Sequence, residues 1–379
     1  MMNRFDDIRP YNDDEVNDAI HSLIADPGFM KIVEMLYPKQ DEREKMIYLL
    51  KKITSVEEFQ KNIIVHLLEE TEKKTTSGIS FSAMEQFRTD GNYLFISNHR
   101  DIILDSAFLN LIMDKHNFRK TEIAIGDNLL IYEWIEKLVK INRSFIVKRN
   151  LGMREQLESS KKLSSYIRYA ITRKGESIWI AQKEGRTKDG NDQTQQAILK
   201  MLNMSNEGSL LEGFFELNIV PMAISYEIEP CAISKVEELL NRKYNPDFAK
   251  TQKDDLKSMA NGFMSQKGRI HYSFGNPLNY RLVELIKEKK TNEAISSISE
   301  YIDKRIYFNY KLWPNNYIAF DLLNNNQTFS DKYSEEEKDN FISRMNKEIS
   351  TLNFPVEETR TMYLNMYANP VVNYMRHFG

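Results

Sequence analysis

The stretch Tyr93-Leu94-Phe95-Ile96-Ser97-Asn98-His99-Arg100-Asp101-Ile102-Ile103-Leu104-Asp105 sets the reading of the chain. Its first four residues form a short apolar run that reads as a strand. Residues 104–113 carry a helical pattern, with Ala107, Phe108 and Leu111 on one side. A strand that passes through a polar turn into a helix is the opening of a βα unit. In open α/β sheets, reactive groups gather at such carboxyl ends of strands. The rhythm repeats downstream. Residues 122–125, 145–147, 177–181, 219–225 and 269–274 read as strands, and 131–140, 153–172 and 194–203 as helices. This alternation predicts an α/β core with a mostly parallel sheet flanked by helices.

Outward from that core the pattern is helical. Val16, Ile20, Leu23 and Ile24 share one face, Asp26-Pro27-Gly28 ends that helix, and Phe29, Ile32, Val33 and Leu36 start the next. Met46, Leu49, Leu50 and Ile53 form a third stripe, and Ser55 with Glu58 makes a capping box ahead of Phe59, Ile63 and Leu67. A polar stretch at 69–77 then separates this bundle from the core. The expected division is an N-terminal helical bundle at 1–77, a catalytic α/β domain at 78–279 and a helical C-terminal region at 280–379. The last is broken at Trp313-Pro314 and at Asn324-Asn325-Asn326.

Composition narrows the function. The chain has 379 residues, enough for a core of about 200–250 residues plus helical additions, and a formal net charge of −3. That charge speaks against bulk nucleic-acid binding, so an anionic ligand must be held by a local cluster of cations. Cys231 is the only cysteine, which rules out an internal disulfide and a multi-thiolate zinc site and suits a reducing compartment. Residues 1–10 are polar and acidic, unlike a signal peptide, and no uncharged apolar run is long enough to span a bilayer.

Four segments carry chemistry. In the first, His99 can take a proton from a hydroxyl if a carboxylate fixes its tautomer. The second, Phe145-Ile146-Val147-Lys148-Arg149, is a strand ending in two cations. The third, Trp179-Ile180-Ala181-Gln182-Lys183-Glu184-Gly185-Arg186-Thr187-Lys188-Asp189-Gly190, runs from an apolar strand into a loop where glycine lets backbone approach an anion and arginine offers a forked donor. The fourth, Ile219-Val220-Pro221-Met222-Ala223-Ile224-Ser225-Tyr226-Glu227, fits a buried strand. Taken singly, each also suits a structural role: a satisfied core histidine, a solvated strand end, a surface turn, a plain strand.

In order, these segments resemble the glycerol-3-phosphate and lysophosphatidate acyltransferase superfamily over roughly residues 80–230. Its blocks are Asn-His-x4-Asp, Phe-Ile-x-Arg, Glu-Gly-(Thr or Gly)-Arg-Ser and a strand with Val-Pro. The counterparts are Asn98-His99 with Asp105, then Val147-Lys148-Arg149, Glu184-Gly185-Arg186-Thr187 and Val220-Pro221. Gly126-Asp127-Asn128-Leu129-Leu130 and Tyr226-Glu227 look like the glycerol-3-phosphate branch. Two departures stand out. Five residues separate His99 from Asp105 where the family has four, so Asp105 or Asp101 could serve the imidazole. Asp105 is preferred because the apolar helical pattern begins directly after it. In the third block Arg186 follows Gly185 directly, with Lys183 where the family often has proline.

The resemblance implies that His99 deprotonates an acceptor hydroxyl, which attacks the thioester of acyl-CoA or an acyl-carrier protein. Backbone N–H groups near the helix start would stabilise the intermediate. Arg149, Lys183, Arg186 and Lys188, with Glu184 and Gly185, would bind a phosphorylated glycerol or lysolipid acceptor. No metal or cofactor is required. The expected setting is cytoplasmic, peripheral on the inner face of the cell membrane. Within residues 128–141, Leu129, Leu130, Ile131, Trp134, Ile135, Leu138 and Val139 crowd one side and read either as an interfacial helix or as a core helix. A contact around residues 371–375 is the alternative. Three other functions compete. His99-Arg100-Asp101 spells a protein-kinase tripeptide, but Ser106 stands where asparagine is required. A lyso-aminolipid acceptor and a non-catalytic lipid-binding protein are the others.

Overall fold

The computed structural model describes residues 4–379; Met1, Met2 and Asn3 of the acidic N-terminal stretch lie outside them. At its centre is a seven-stranded sheet of β1 (Ile79–Ser82), β2 (Leu94–Ser97), β3 (Thr121–Gly126), β4 (Ser144–Val147), β5 (Ser177–Ala181), β6 (Ile219–Tyr226) and β7 (Ile270–Phe274). Their order is β1-β7-β6-β2-β5-β3-β4, and every pair is parallel except β6 with β7. Strand β2 lies between β5 and β6, with Ile96 opposite Ile180 and Pro221. Its alternating side chains feed two cores. Leu94 and Ile96 join Ile178, Ile180 and Ile219 on one face, while Phe95 joins Trp179, Val220 and Met222 on the other.

The N-terminal helices Asp13–Ala25 and Pro27–Leu36 lie against the helix Glu133–Ile141, and this decides between the two readings of residues 128–141. Ile135 and Ile141 are buried, and Trp134 packs at a tilt on Phe29 with ring centroids 6.2 Å apart. Leu130, Trp134 and Leu138 pack half-buried against the cores, whereas Leu129, Ile131 and Val139 are half-buried outside them. Val371 is buried too. Among the described residues, no helix is long and apolar enough to cross a membrane.

Two expectations change. The polar stretch at 69–77 is not a separator, because the helix Val65–Thr75 runs through it, its Leu68 and Thr71 buried. Strand β1 follows at once; its Ile-Ser-Phe-Ser sequence, at the sheet edge, lacks the apolar run of a central strand. The cores also cross the expected boundaries. Phe5 and Ile8 pack under the sheet, as do Ile295, Ile298, Ile302 and Ile306 of the helix Thr291–Asn309.

Candidate active site

His99 sits just beyond the carboxyl end of β2, and its neighbour explains how it is held there. The Asn98 side chain donates to the Ile224 carbonyl at 2.9 Å and accepts from the Ile224 N–H at 2.8 Å. It thus extends the β2–β6 ladder by one rung. The chain then turns through 100–103 before the helix Leu104–Lys115 begins. Asp101 closes that turn, one carboxylate oxygen accepting from the N–H groups of Ile103 (2.9 Å) and Leu104 (2.8 Å). This is N-cap chemistry. Burial and the neighbouring Asp105 push the Asp101 carboxyl above its usual range.

Asp105 takes the other position. The extra residue relative to the family pattern is absorbed in the turn, and Asp105 Oδ2 lies 2.8 Å from His99 Nδ1. The same oxygen accepts from the N–H groups of Arg100 (2.6 Å) and Asp101 (3.0 Å), and Oδ1 from the Tyr226 hydroxyl at 2.8 Å. Asp105 is fully buried, and burial holds the Tyr226 phenol protonated. A carboxylate surrounded by donors fixes the proton on Nδ1 and leaves Nε2 as the basic nitrogen. The imidazole rests edgewise on Trp179, centroids 5.5 Å apart, with 13% of its side-chain surface open. The helix-start N–H groups expected to meet the intermediate are largely spent: those of Arg100, Asp101, Ile103 and Leu104 all serve the two carboxylates.

The third-block loop is joined to the first through Thr187, whose N–H donates to the His99 carbonyl at 2.8 Å. The cations of the second and third blocks do not converge. Arg149 pairs with the exposed Glu184 at 3.3 Å, and Lys188 with Glu238 at 2.7 Å. Lys183 donates to the Asn191 carbonyl at 3.2 Å, its ammonium pushed down by burial. Gly185 adopts a left-handed φ of +71°, a conformation that residues with a Cβ rarely adopt, although a Cβ there would meet open space. Arg186 differs from the rest. It is buried, lies against the Cys231 thiol and near Asp101, and its Nη1 has no hydrogen-bond partner. Farther along the loop, Gly190 presses on the Met366 backbone, where a Cβ would come within 2.2 Å of the carbonyl oxygen.

Residues 78–228 match the family model described as Acyltransferase. This segment is an acyltransferase domain. It contains all four blocks and both members of the His99–Asp105 pair. Among solved structures, the crystal structure of the 1-acyl-sn-glycerophosphate (LPA) acyltransferase PlsC from Thermotoga maritima is 10% identical. The alignment covers 77% of this chain and 91% of that one, with a TM-score of 0.35. No curated protein matches.

Several residues that shape the acyltransferase site were not singled out from sequence. Tyr226 was noted only as a branch marker, yet its hydroxyl completes the shell around Asp105. Tyr272, on β7 and beyond the acyltransferase segment, donates to the Asp105 carbonyl at 2.8 Å. Arg100, Asp192, Glu229 and Lys235 form a buried ionic group behind His99. A hydrophilic residue inside an otherwise apolar strand end was the one available signal for the tyrosines; nothing local marks the ionic group.

Proposed function

We propose that the protein is a glycerolipid O-acyltransferase that moves a fatty acyl group from acyl-CoA or an acyl-carrier protein to a hydroxyl of glycerol 3-phosphate or lysophosphatidate. The observation that carries this reading is the His99–Asp105 contact of 2.8 Å, set beside a buried arginine, Arg186, with an unspent donor. His99 Nε2 takes the acceptor hydroxyl's proton while the oxygen attacks the thioester carbonyl. Asp105 offsets the positive charge that the imidazole gains. Collapse of the tetrahedral intermediate breaks the C–S bond, and the imidazolium returns the proton to the leaving thiolate. Arg186 receives the acceptor phosphate. No side-chain nucleophile or metal is needed. Lysophosphatidate and the acylated product reside in bilayers, so the proposal includes peripheral contact with the inner face of the cell membrane, from the cytoplasm.

The pairing of Arg149 with Glu184 and of Lys188 with Glu238 favours a second reading, a lyso-aminolipid acceptor of lower negative charge. One experiment tests both. Thiol release from acyl-CoA and acyl-carrier-protein donors is measured against glycerol 3-phosphate, lysophosphatidate and lyso-aminolipids, with His99→Ala as control. Acceptor-dependent release with the phosphorylated pair supports the first reading, and release with lyso-aminolipids alone the second. Retained turnover in His99→Ala rejects the mechanism in either case.

A further inference from the structure

Behind the turn that carries His99 lie two cations and two anions, almost entirely out of water: Arg100, Lys235, Asp192 and Glu229. Arg100 Nη2 donates to Asp192 Oδ2 at 2.5 Å, and Nη1 to Glu229 Oε2 at 3.3 Å. Lys235 Nζ donates to Glu229 Oε1 at 2.5 Å and to the Arg100 backbone carbonyl at 2.7 Å. The second Asp192 oxygen accepts from the Thr187 hydroxyl at 2.6 Å, and the Thr187 N–H holds the His99 carbonyl at 2.8 Å. The network therefore grips the peptide groups on both sides of Arg100, the residue that follows the histidine. It joins the loops that follow β2, β5 and β6 to the helix Ala232–Tyr244.

Arg100 has no exposed surface, so its charge is not presented to a substrate phosphate. Stability does not explain the group either. Burying four charges costs more solvation than mutual attraction usually returns, and apolar replacements of such groups are often neutral or stabilising. What an ionic group of this kind supplies is a fixed geometry, because each of the four carboxylate oxygens is held by its own donor.

We infer that Arg100, Asp192, Glu229 and Lys235 form a positioning clamp that holds the His99–Asp105 hydrogen bond in its reactive geometry. The inference rests on His99 being the base, as proposed above. Asp192, Glu229 and Lys235 are positioning residues, acting through Arg100 and Thr187.

The test uses the full chain with Lys235→Met, Asp192→Asn, Thr187→Val and Thr187→Ser. Circular dichroism gives the folded fraction. Steady-state kinetics separate kcat from KM, and histidine-labelled NMR follows the His99 Nδ1 proton, assigned by its absence in His99→Gln. The expectation is a kcat loss of about tenfold to a hundredfold per folded molecule in the first three variants, with KM within about twofold. The Nδ1 proton signal should shift or broaden in each, and Thr187→Ser should restore both signal and kcat. Folded variants with an unchanged signal and a kcat within about twofold of the parent would overturn the clamp. If the two charge variants do not fold, the Thr187 pair decides by the same criteria, because it removes a hydroxyl without stranding a charge. If the parent protein acylates nothing in the acceptor panel, the proposed function fails, while the Nδ1 signal still decides whether the network positions His99.

Discussion

Two neighbouring aspartates flank the same turn, and replacing each by asparagine should give opposite results. In Asp105→Asn, the amide oxygen can keep the three donors at Oδ2, from His99, Arg100 and Asp101, while the amide NH2 faces the Tyr226 oxygen. Shape and tautomer survive; the negative charge does not. That charge matters only when the imidazole becomes cationic. Turning a charge-assisted bond into a neutral one costs about 1.5 kcal/mol. The full attraction of two unit charges about 4 Å apart at an effective dielectric of 20 is about 4 kcal/mol. The loss in kcat should therefore lie between about tenfold and a thousandfold. Asp101→Asn removes a buried charge but keeps a good cap for Ile103 and Leu104. Activity should stay within about threefold, with an unfolding temperature equal to the parent's or higher. Thiol release at saturating substrates, alongside thermal unfolding, reads both. A larger loss for Asp101→Asn than for Asp105→Asn would show that the wrong carboxylate serves the base.

Other outcomes follow from the same structure. Arg186→Ala should raise the KM for a phosphorylated acceptor by about tenfold to a hundredfold, and Arg149→Ala by less than about threefold because Glu184 already occupies it; equal effects in steady-state kinetics would remove Arg186 from its assigned place. Tyr226→Phe leaves a buried Asp105 oxygen without its donor and should cost about 1–3 kcal/mol in urea unfolding, where no loss would mean that another donor replaces it. Asp303, on the helix Thr291–Asn309, is raised by burial from 3.8 to about 6, despite accepting the Thr194 N–H. Its stabilising share is complete below about pH 3.8 and is lost as pH rises through 6, so Asp303→Asn should match the parent near pH 4 and exceed it by up to about 3 kcal/mol at pH 8; a constant difference across that window in urea melts would contradict this. Changing Trp134 and Leu138 together to serine should destabilise the fold by at least about 2 kcal/mol without altering vesicle flotation of the folded fraction, since both pack into the N-terminal core.

The β2 turn shows what local sequence carries and where it stops. The onset of the apolar pattern after residue 105 marks the helix start, and the structure puts Asp105, not Asp101, against the imidazole. The three central strands β2, β5 and β6 announce themselves because both faces of the sheet are buried and their residues are nearly all apolar. Edge strand β1 does not, because half of its sequence is serine and its outer side is open. The helix through Thr75 is hidden for a similar reason: its polar residues cover a narrow buried line. The ionic clamp was beyond reach because its partners are distant in sequence. Lys235 meets a carbonyl 135 positions away, and no local pattern encodes that distance. The fate of the third-block cations is likewise tertiary. Glu238 claims Lys188 from a helix that sequence periodicity did not mark out.

That distribution of partners constrains the chemistry of the intermediate. The turn at residues 100–104 spends four N–H groups on two carboxylates, which stiffens the base and its cap but leaves those donors unable to meet a developing oxyanion. In the third-block loop, the Thr187 N–H is committed to His99 and the Glu184 N–H to Gln195. Arg186 Nη1 is buried and unspent, so it can respond to negative charge on either the acceptor phosphate or the carbonyl oxygen. The two roles separate in kinetics. A phosphate contact present in ground and transition states alike moves KM, whereas a contact made only as the oxyanion forms lowers kcat and kcat/KM together. Arg186 touches the Cys231 thiol and neighbours Asp101, so its guanidinium lies close to the turn that follows His99. An acceptor with its phosphate on Arg186 must then place its hydroxyl within hydrogen-bond reach of His99 Nε2 for proton transfer to occur.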